Sequence, residues 1–101
     1  MPKLDIEKSL TVDASEAFTK LKNFLETDPD LRKMDSAYQC TFDDSQKSGE
    51  AKGKQFKATL RVEPAGSGSK VAIGVDLPFL LTPLKGTIEA SLRKKLDRLF
   101  A

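Results

Sequence analysis

Hydrophobic and polar positions alternate from Lys3 to Val12: Leu4, Ile6, Leu10 and Val12 fall on one side, Asp5, Glu7, Ser9 and Thr11 on the other. A period of two predicts a half-buried strand. Lys8 interrupts the apolar side, so its stem must snorkel or lie at a sheet edge. From Asp13 the period lengthens. Ala14, Ala17, Phe18, Leu21, Phe24 and Leu25 recur at helical spacing. Asp13 and Glu16 have capping-box spacing at the start of this helix, and Asp28-Pro29 ends it. A short helical turn is expected from Asp30 to Met34, with Leu31 and Met34 tucked inward.

Alternation returns at Tyr38, Cys40 and Phe42, a second strand whose inner face includes Cys40. A small buried hydrophobe is the reading for that thiol, because no basic neighbour in sequence would activate it. Asp43 to Gly49 is a polar turn. Glu50 to Glu63 reads as one continuous third strand. Its inner residues are Phe56, Ala58, Leu60 and Val62, and Gln55, Lys57, Thr59 and Arg61 face solvent. Ala51 and Gly53 are placed on the outer side, with Gly53 marking a bulge. Pro64 to Ser69 is a hairpin loop; its Gly-Ser-Gly-Ser character lacks the lysine and the helix of a phosphate loop. Val71, Ile73, Val75 and Leu77 line the inner face of a fourth strand. Thr82 as cap and Pro83 in the first turn open a last helix, striped by Leu84, Ile88, Leu92, Leu96 and Leu99.

The order is β-α-β-β-β-α. Consecutive strands with short connections are antiparallel neighbours, and inner faces that are apolar opposite polar outer faces call for cover on one side only. The expected fold is an α+β two-layer sandwich with a four-stranded antiparallel sheet in order 1-4-3-2 and both helices on one face. It resembles a shortened helix grip, in which a curved sheet wraps a C-terminal helix; the likeness concerns fold alone. A chain of 101 residues is expected to form a single domain, 1–101.

Composition narrows the chemistry. The chain has no His, no Trp and one Cys, Cys40. Acid–base catalysis near neutrality most often uses His, and metal sites usually draw on His, Cys or grouped carboxylates. No catalytic, cofactor-binding or metal-ligating residues are assigned, and a non-enzymatic protein is expected. A formal net charge of +2 is too small to imply nucleic-acid binding, and no aromatic residues interleave with the outer Lys57 and Arg61 for base stacking. One cysteine and no long apolar run fit a cytoplasmic protein without an integral membrane segment.

The sharpest anomaly is the junction Leu77-Pro78-Phe79-Leu80-Leu81-Thr82-Pro83-Leu84-Lys85-Gly86. Turns around prolines are normally polar, yet here Phe79, Leu80, Leu81 and Leu84 cluster, with Lys85, Arg93, Lys94 and Lys95 following as flanking basic residues. Such a segment seals the core, meets a second copy, or binds an apolar surface or ligand.

The same segment, continued through Thr87-Ile88-Glu89 and Leu92, Leu96 and Phe100, resembles that of the small polyhydroxyalkanoic acid system proteins, also described as granule-region proteins. Members carry a strand leading into a Gly-Phe-Leu-Leu-x-Pro-Leu-Lys-Gly-x-Ile-Glu type segment and a terminal helix. Pro78 stands where that pattern commonly has Gly. The resemblance implies a role in bacterial storage-polyester metabolism, at the granule surface, and supplies no catalytic residue. Two alternatives remain open. One is a helix-grip-like module for a small hydrophobic ligand, lined by Phe18, Leu21, Tyr38, Phe56, Leu60, Ile73 and Leu92. The other is a homo-oligomeric structural or interaction protein, a homodimer being the simplest case.

Overall fold

Successive hairpins build the sheet. The computed structural model describes residues 3–29, 33, 35–54 and 56–100. Strand β2 (Gln39–Asp43) folds back as β3 (Ser48–Lys52), β3 pairs antiparallel with β4 (Lys57–Ala65), and β4 turns through Gly66 and Ser67 into β5 (Gly68–Asp76). Strand β1 (Lys3–Leu10) pairs antiparallel with β5, which completes a five-stranded sheet in the order β1-β5-β4-β3-β2. Helix α1 (Ala14–Thr27) follows β1, and a 3-10 segment (Phe79–Leu84) leads from β5 into helix α2 (Lys85–Leu99). Apolar residues of both helices join the inner strand residues in one core. The architecture is therefore α+β in two layers, with both helices on one face.

The sheet has five strands, not the expected four in order 1-4-3-2. The stretch taken as one strand from Glu50 to Glu63 is two, because the chain reverses between Lys52 and Lys57. The Gly53 amide donates to the Phe56 carbonyl across that reversal, at 3.0 Å. Gly53 also sits against the Asp35 side chain, and a Cβ there would collide with Asp35 Oδ2. The reversal moves Ala51 to the other face. It is the direct partner of Ala58, so both point into the core, and Ala51 is fully buried rather than outward. The first strand does lie beside the last, as expected.

Register explains how the short strands fill the core. Across the inner face, Ile6, Ile73, Leu60, Gly49 and Phe42 form one row, and Leu4, Val75, Ala58, Ala51 and Cys40 the next. The small residues of β3 make room for larger neighbours. The Phe42 ring occupies the space a Gly49 side chain would need, since a Cβ at Gly49 would approach Phe42 Cδ1 to 2.5 Å. Phe42 then meets Phe18 of α1 edge-on, with centroids 6.2 Å apart.

Helix α1 follows the capping expectation. Asp13 Oδ1 accepts from the Glu16 amide at 2.8 Å, and Ala14, Ala17, Phe18, Leu21 and Leu25 are buried, with Phe24 half-buried. The helix ends at Thr27, with Asp28 as its C-cap. The expected inward turn of Leu31 and Met34 lies outside the described residues, as does the outward position of Gln55. Tyr38, fully buried, anchors the return by donating its hydroxyl to the Leu25 carbonyl at 2.5 Å.

Helix α2 starts later than Thr82. Proline has no amide hydrogen for a helical ladder, and Pro83 sits instead in the tighter 3-10 segment, with the regular helix beginning at Lys85. Thr82 Oγ1 donates to the Phe79 carbonyl at 2.7 Å, so it closes the 3-10 turn and does not cap α2. Leu92 and Leu96 are buried, while Ile88 and Leu99 are partly so. Lys8, on the core side of edge strand β1, reaches out to Asp97 of α2 at 2.6 Å. Snorkelling and an edge position thus both resolve the break in the β1 pattern.

Candidate functional site

The proline-bounded junction is turned outward. Leu77 ends the β5 stripe fully buried. Pro78 is extended (φ −59°, ψ 148°), and the Leu81 amide bonds back to its carbonyl at 2.9 Å. This closes a tight turn whose outer side carries Phe79 and Leu80. Their relative exposures are 80% and 89%, and that of Leu84 is 50%. Leu81 alone of the four packs partly against the core. Of the three fates open to this segment, sealing the core of its own chain is therefore not the one taken by Phe79 and Leu80.

The basic residues do not form one rim around that tip. Lys85 is exposed at the first position of α2, next to Leu84. Arg93 and Lys94 are also exposed but sit about 12–14 Å further along the helix axis, at about 1.5 Å per residue. Arg93 lies 3.7 Å from Glu89, one helical turn before it. Lys95 is turned away from the tip. Its ammonium donates to both carboxylate oxygens of Asp28, at 2.8 and 3.0 Å, where Asp28 is 7% exposed.

That ion pair borders a cavity of about 250 Å³ between α2, the end of α1, and strands β4 and β5. Its walls are apolar: Phe24, Phe56, Ile73, Val75, Ile88 and Leu92. Three of the seven side chains proposed to line a ligand site, Phe56, Ile73 and Leu92, are there. Phe18, Leu21, Tyr38 and Leu60 are buried but do not line it. Sequence reading missed the polar members. Thr87, Ser91 and Lys95 recur at four-residue spacing on α2 and border the cavity together, with Thr87 and Ser91 exposed at its mouth. That spacing was visible in the chain, but Asp28 sits 67 positions from Lys95 and nothing local pairs them.

A wider hollow of about 770 Å³ lies over the sheet, bordered by Lys3, Asp5, Glu7, Glu50 and Arg61 around Gly74. It is a mixed-charge surface and brings none of the proposed surface-binding or flanking basic residues together.

Other chemistry is sparse. Cys40 is half-buried, its Sγ 3.7 Å from the Leu25 carbonyl. Asp43, in the β2–β3 turn, is held below the usual aspartate range by the Ser45 hydroxyl and the Gln46 and Ser45 amides. No group of three or more His, Cys, Asp or Glu among the described residues could hold a metal ion. No helix among them is long and apolar enough to cross a membrane.

Solved structures share the fold, among them two that cover nearly the whole chain. The protein TTHA0849 from Thermus thermophilus superposes with a TM-score of 0.62 at 12% identity, covering 97% of this chain and 91% of that one. Ara h 8.0201 superposes with a TM-score of 0.63 at 13% identity, covering 98% and 92%. The superpositions show a shared fold, and identities this low carry no shared activity. A comparison with curated proteins finds no match. The family described as "Putative polyhydroxyalkanoic acid system protein (PHA_gran_rgn)" matches residues 5–100. The match takes in both layers, the outward junction and the terminal helix, and the chain belongs to this polyhydroxyalkanoic acid system protein family.

Proposed function

We propose that this protein attaches, without catalysing a reaction, to the apolar surface of a storage-polyester granule in the cytoplasm. The observation that carries the reading is the outward presentation of Phe79 and Leu80, at 80% and 89% exposure, on a turn anchored by buried Leu77. Each such side chain contributes about 1.5–3 kcal/mol when fully withdrawn from water. Leu84 extends the patch, and Lys85 at its edge suits an anionic coat over an apolar surface. The family's description supports the choice of material, a polyester of hydroxyalkanoic acids.

Co-sedimentation with isolated polyester granules tests this. The wild-type chain is expected in the granule pellet, and Phe79→Asp and Leu80→Asp in the supernatant, with unchanged circular dichroism. A wild-type chain that stays in the supernatant overturns the reading. Light scattering separates the homodimer reading: a wild-type dimer that the same substitutions dissociate assigns the patch to self-association.

The apolar cavity beneath α2 favours a second reading, a module for a small hydrophobic ligand. It involves a different surface from the Phe79–Leu80 turn, so the two are separable by experiment.

A further inference from the structure

The cavity walls are apolar apart from Thr87 and Ser91 at the mouth and the Asp28–Lys95 pair, and the chemistry of that pair selects among hydrophobic ligands. Among the described residues bordering it, the charged ones are Asp28 and Lys95. They are bonded to each other. An ion pair presents a carboxylate, which only accepts hydrogen bonds, beside an ammonium, which only donates. A ligand group that does both, and brings no charge, matches that surface. A hydroxyl does so. A carboxylate only accepts, and it would set a second negative charge beside Asp28. An ether or a saturated chain end lacks the donor. Ser91, on the same helix row one turn before Lys95, adds a further hydroxyl at the mouth.

Volume bounds the enclosed length. A water molecule's share of liquid volume is about 30 Å³, so 250 Å³ holds at most on the order of eight groups of that size inside the mouth at Thr87 and Ser91. We infer that the cavity takes one neutral, hydroxyl-bearing aliphatic chain of up to about eight carbons. Its hydroxyl lies against the Asp28–Lys95 pair, and its chain lies against Phe56, Ile73, Ile88 and Leu92. This rests on the second reading above, that the cavity is a ligand site, and adds the selectivity.

The test is a titration of the wild-type protein, labelled at Ile and Leu methyls, with 1-octanol, octanoate and octyl methyl ether. The expected result is that 1-octanol shifts the Ile73, Ile88 and Leu92 signals with a Kd at least about tenfold lower than that of the other two, equivalent to about 1.4 kcal/mol. The double substitution Asp28→Asn with Lys95→Met is expected to remove the preference while octyl methyl ether still binds. Ser91→Ala, at an exposed position that leaves the core untouched, is expected to weaken 1-octanol alone. Equal binding of all three probes by the wild-type chain overturns the selectivity and leaves the ligand site standing. No shift at these methyls with any probe overturns both.

Discussion

Lys95 holds Asp28 through both carboxylate oxygens, at 2.8 and 3.0 Å, and so ties the last third of α2 to the C-cap of α1. The carboxylate is 7% exposed and the lysine side chain 21%. Removing either partner takes a short charge-assisted contact from the other in so dry a place. Asp28→Asn and Lys95→Met are each expected to cost about 1–3 kcal/mol in urea denaturation. The double variant is expected to recover most of the loss, because it strands no charge. Additive losses in this cycle would show that the two groups act independently.

Burial of Ala51 opposite Ala58 makes the position intolerant of charge. Ala51→Asp is expected to destabilise the fold by more than about 3 kcal/mol, since the carboxylate would be buried unpaired. Glu50→Ala, one residue away on the opposite face, is expected to stay within about 0.5 kcal/mol. The contrast follows from a strand reversal at 53–56. A continuous strand would place Ala51 outward and predict the opposite ranking.

Two glycines give a second contrast. A Cβ at Gly53 meets the buried Asp35 carboxylate, which itself accepts from the Ala37 amide at 3.1 Å. Gly53→Ala is expected to cost about 1–3 kcal/mol. A Cβ at Gly86, in the first turn of α2, meets nothing within 4 Å. Gly86→Ala is expected to raise stability by about 0.5–1 kcal/mol through helix propensity and a less flexible unfolded chain. Thermal unfolding of the pair reads both signs.

Leu77 and Leu80 are three residues apart and differ in burial, with exposures of 0% and 89%. Leu77→Ala is expected to cost about 2–5 kcal/mol, and Leu80→Ala no more than about 0.5 kcal/mol. The same Leu80→Ala protein is expected to bind granules more weakly. Loss of stability on truncating Leu80 would mean that the turn packs inward.

Asp43 sets the acid behaviour of the β2–β3 turn. Its folded pKa lies below the ordinary 3.8, chiefly through the Ser45 hydroxyl. A depressed acid contributes stability above its unfolded pKa and loses it as pH falls through the folded one. The turn is therefore expected to keep its hydrogen bonds down to pH 3.8 and release them below it. The Ser45 and Gln46 amide signals are expected to titrate with a midpoint under that value, and Asp43→Asn to abolish the transition.

How legible the fold was in the chain depended on the strength of each local signal. The capped helix α1 and the inner stripes of β1, β4 and β5 were readable because each carries large apolar residues at a fixed period. Strand β3 was not. Its inner positions are Gly49 and Ala51, and the apolar bulk over Gly49 comes from Phe42 of the neighbouring strand. With no stripe of its own, β3 merges into β4 when the chain is read by period alone, and the strand count comes out one short.

The candidate site divides in the same way. Phe79 and Leu80 stood out because prolines at 78 and 83 bracket an apolar run, a local incongruity. Their direction did not, since the same residues could have closed the core. Lys95 groups with Arg93 and Lys94 by proximity in sequence, whereas the helix turns it toward Asp28. Periodicity, capping and proline breaks act over a few residues, so the chain alone settled helix α1, the body of α2 and the apolar faces of β1, β4 and β5. Reversal at Gly53, the five-strand order and the cavity bordered by Asp28 and Lys95 arise from contacts between segments distant in sequence. Those are chosen only when the whole core packs and each buried polar group must find a partner in space.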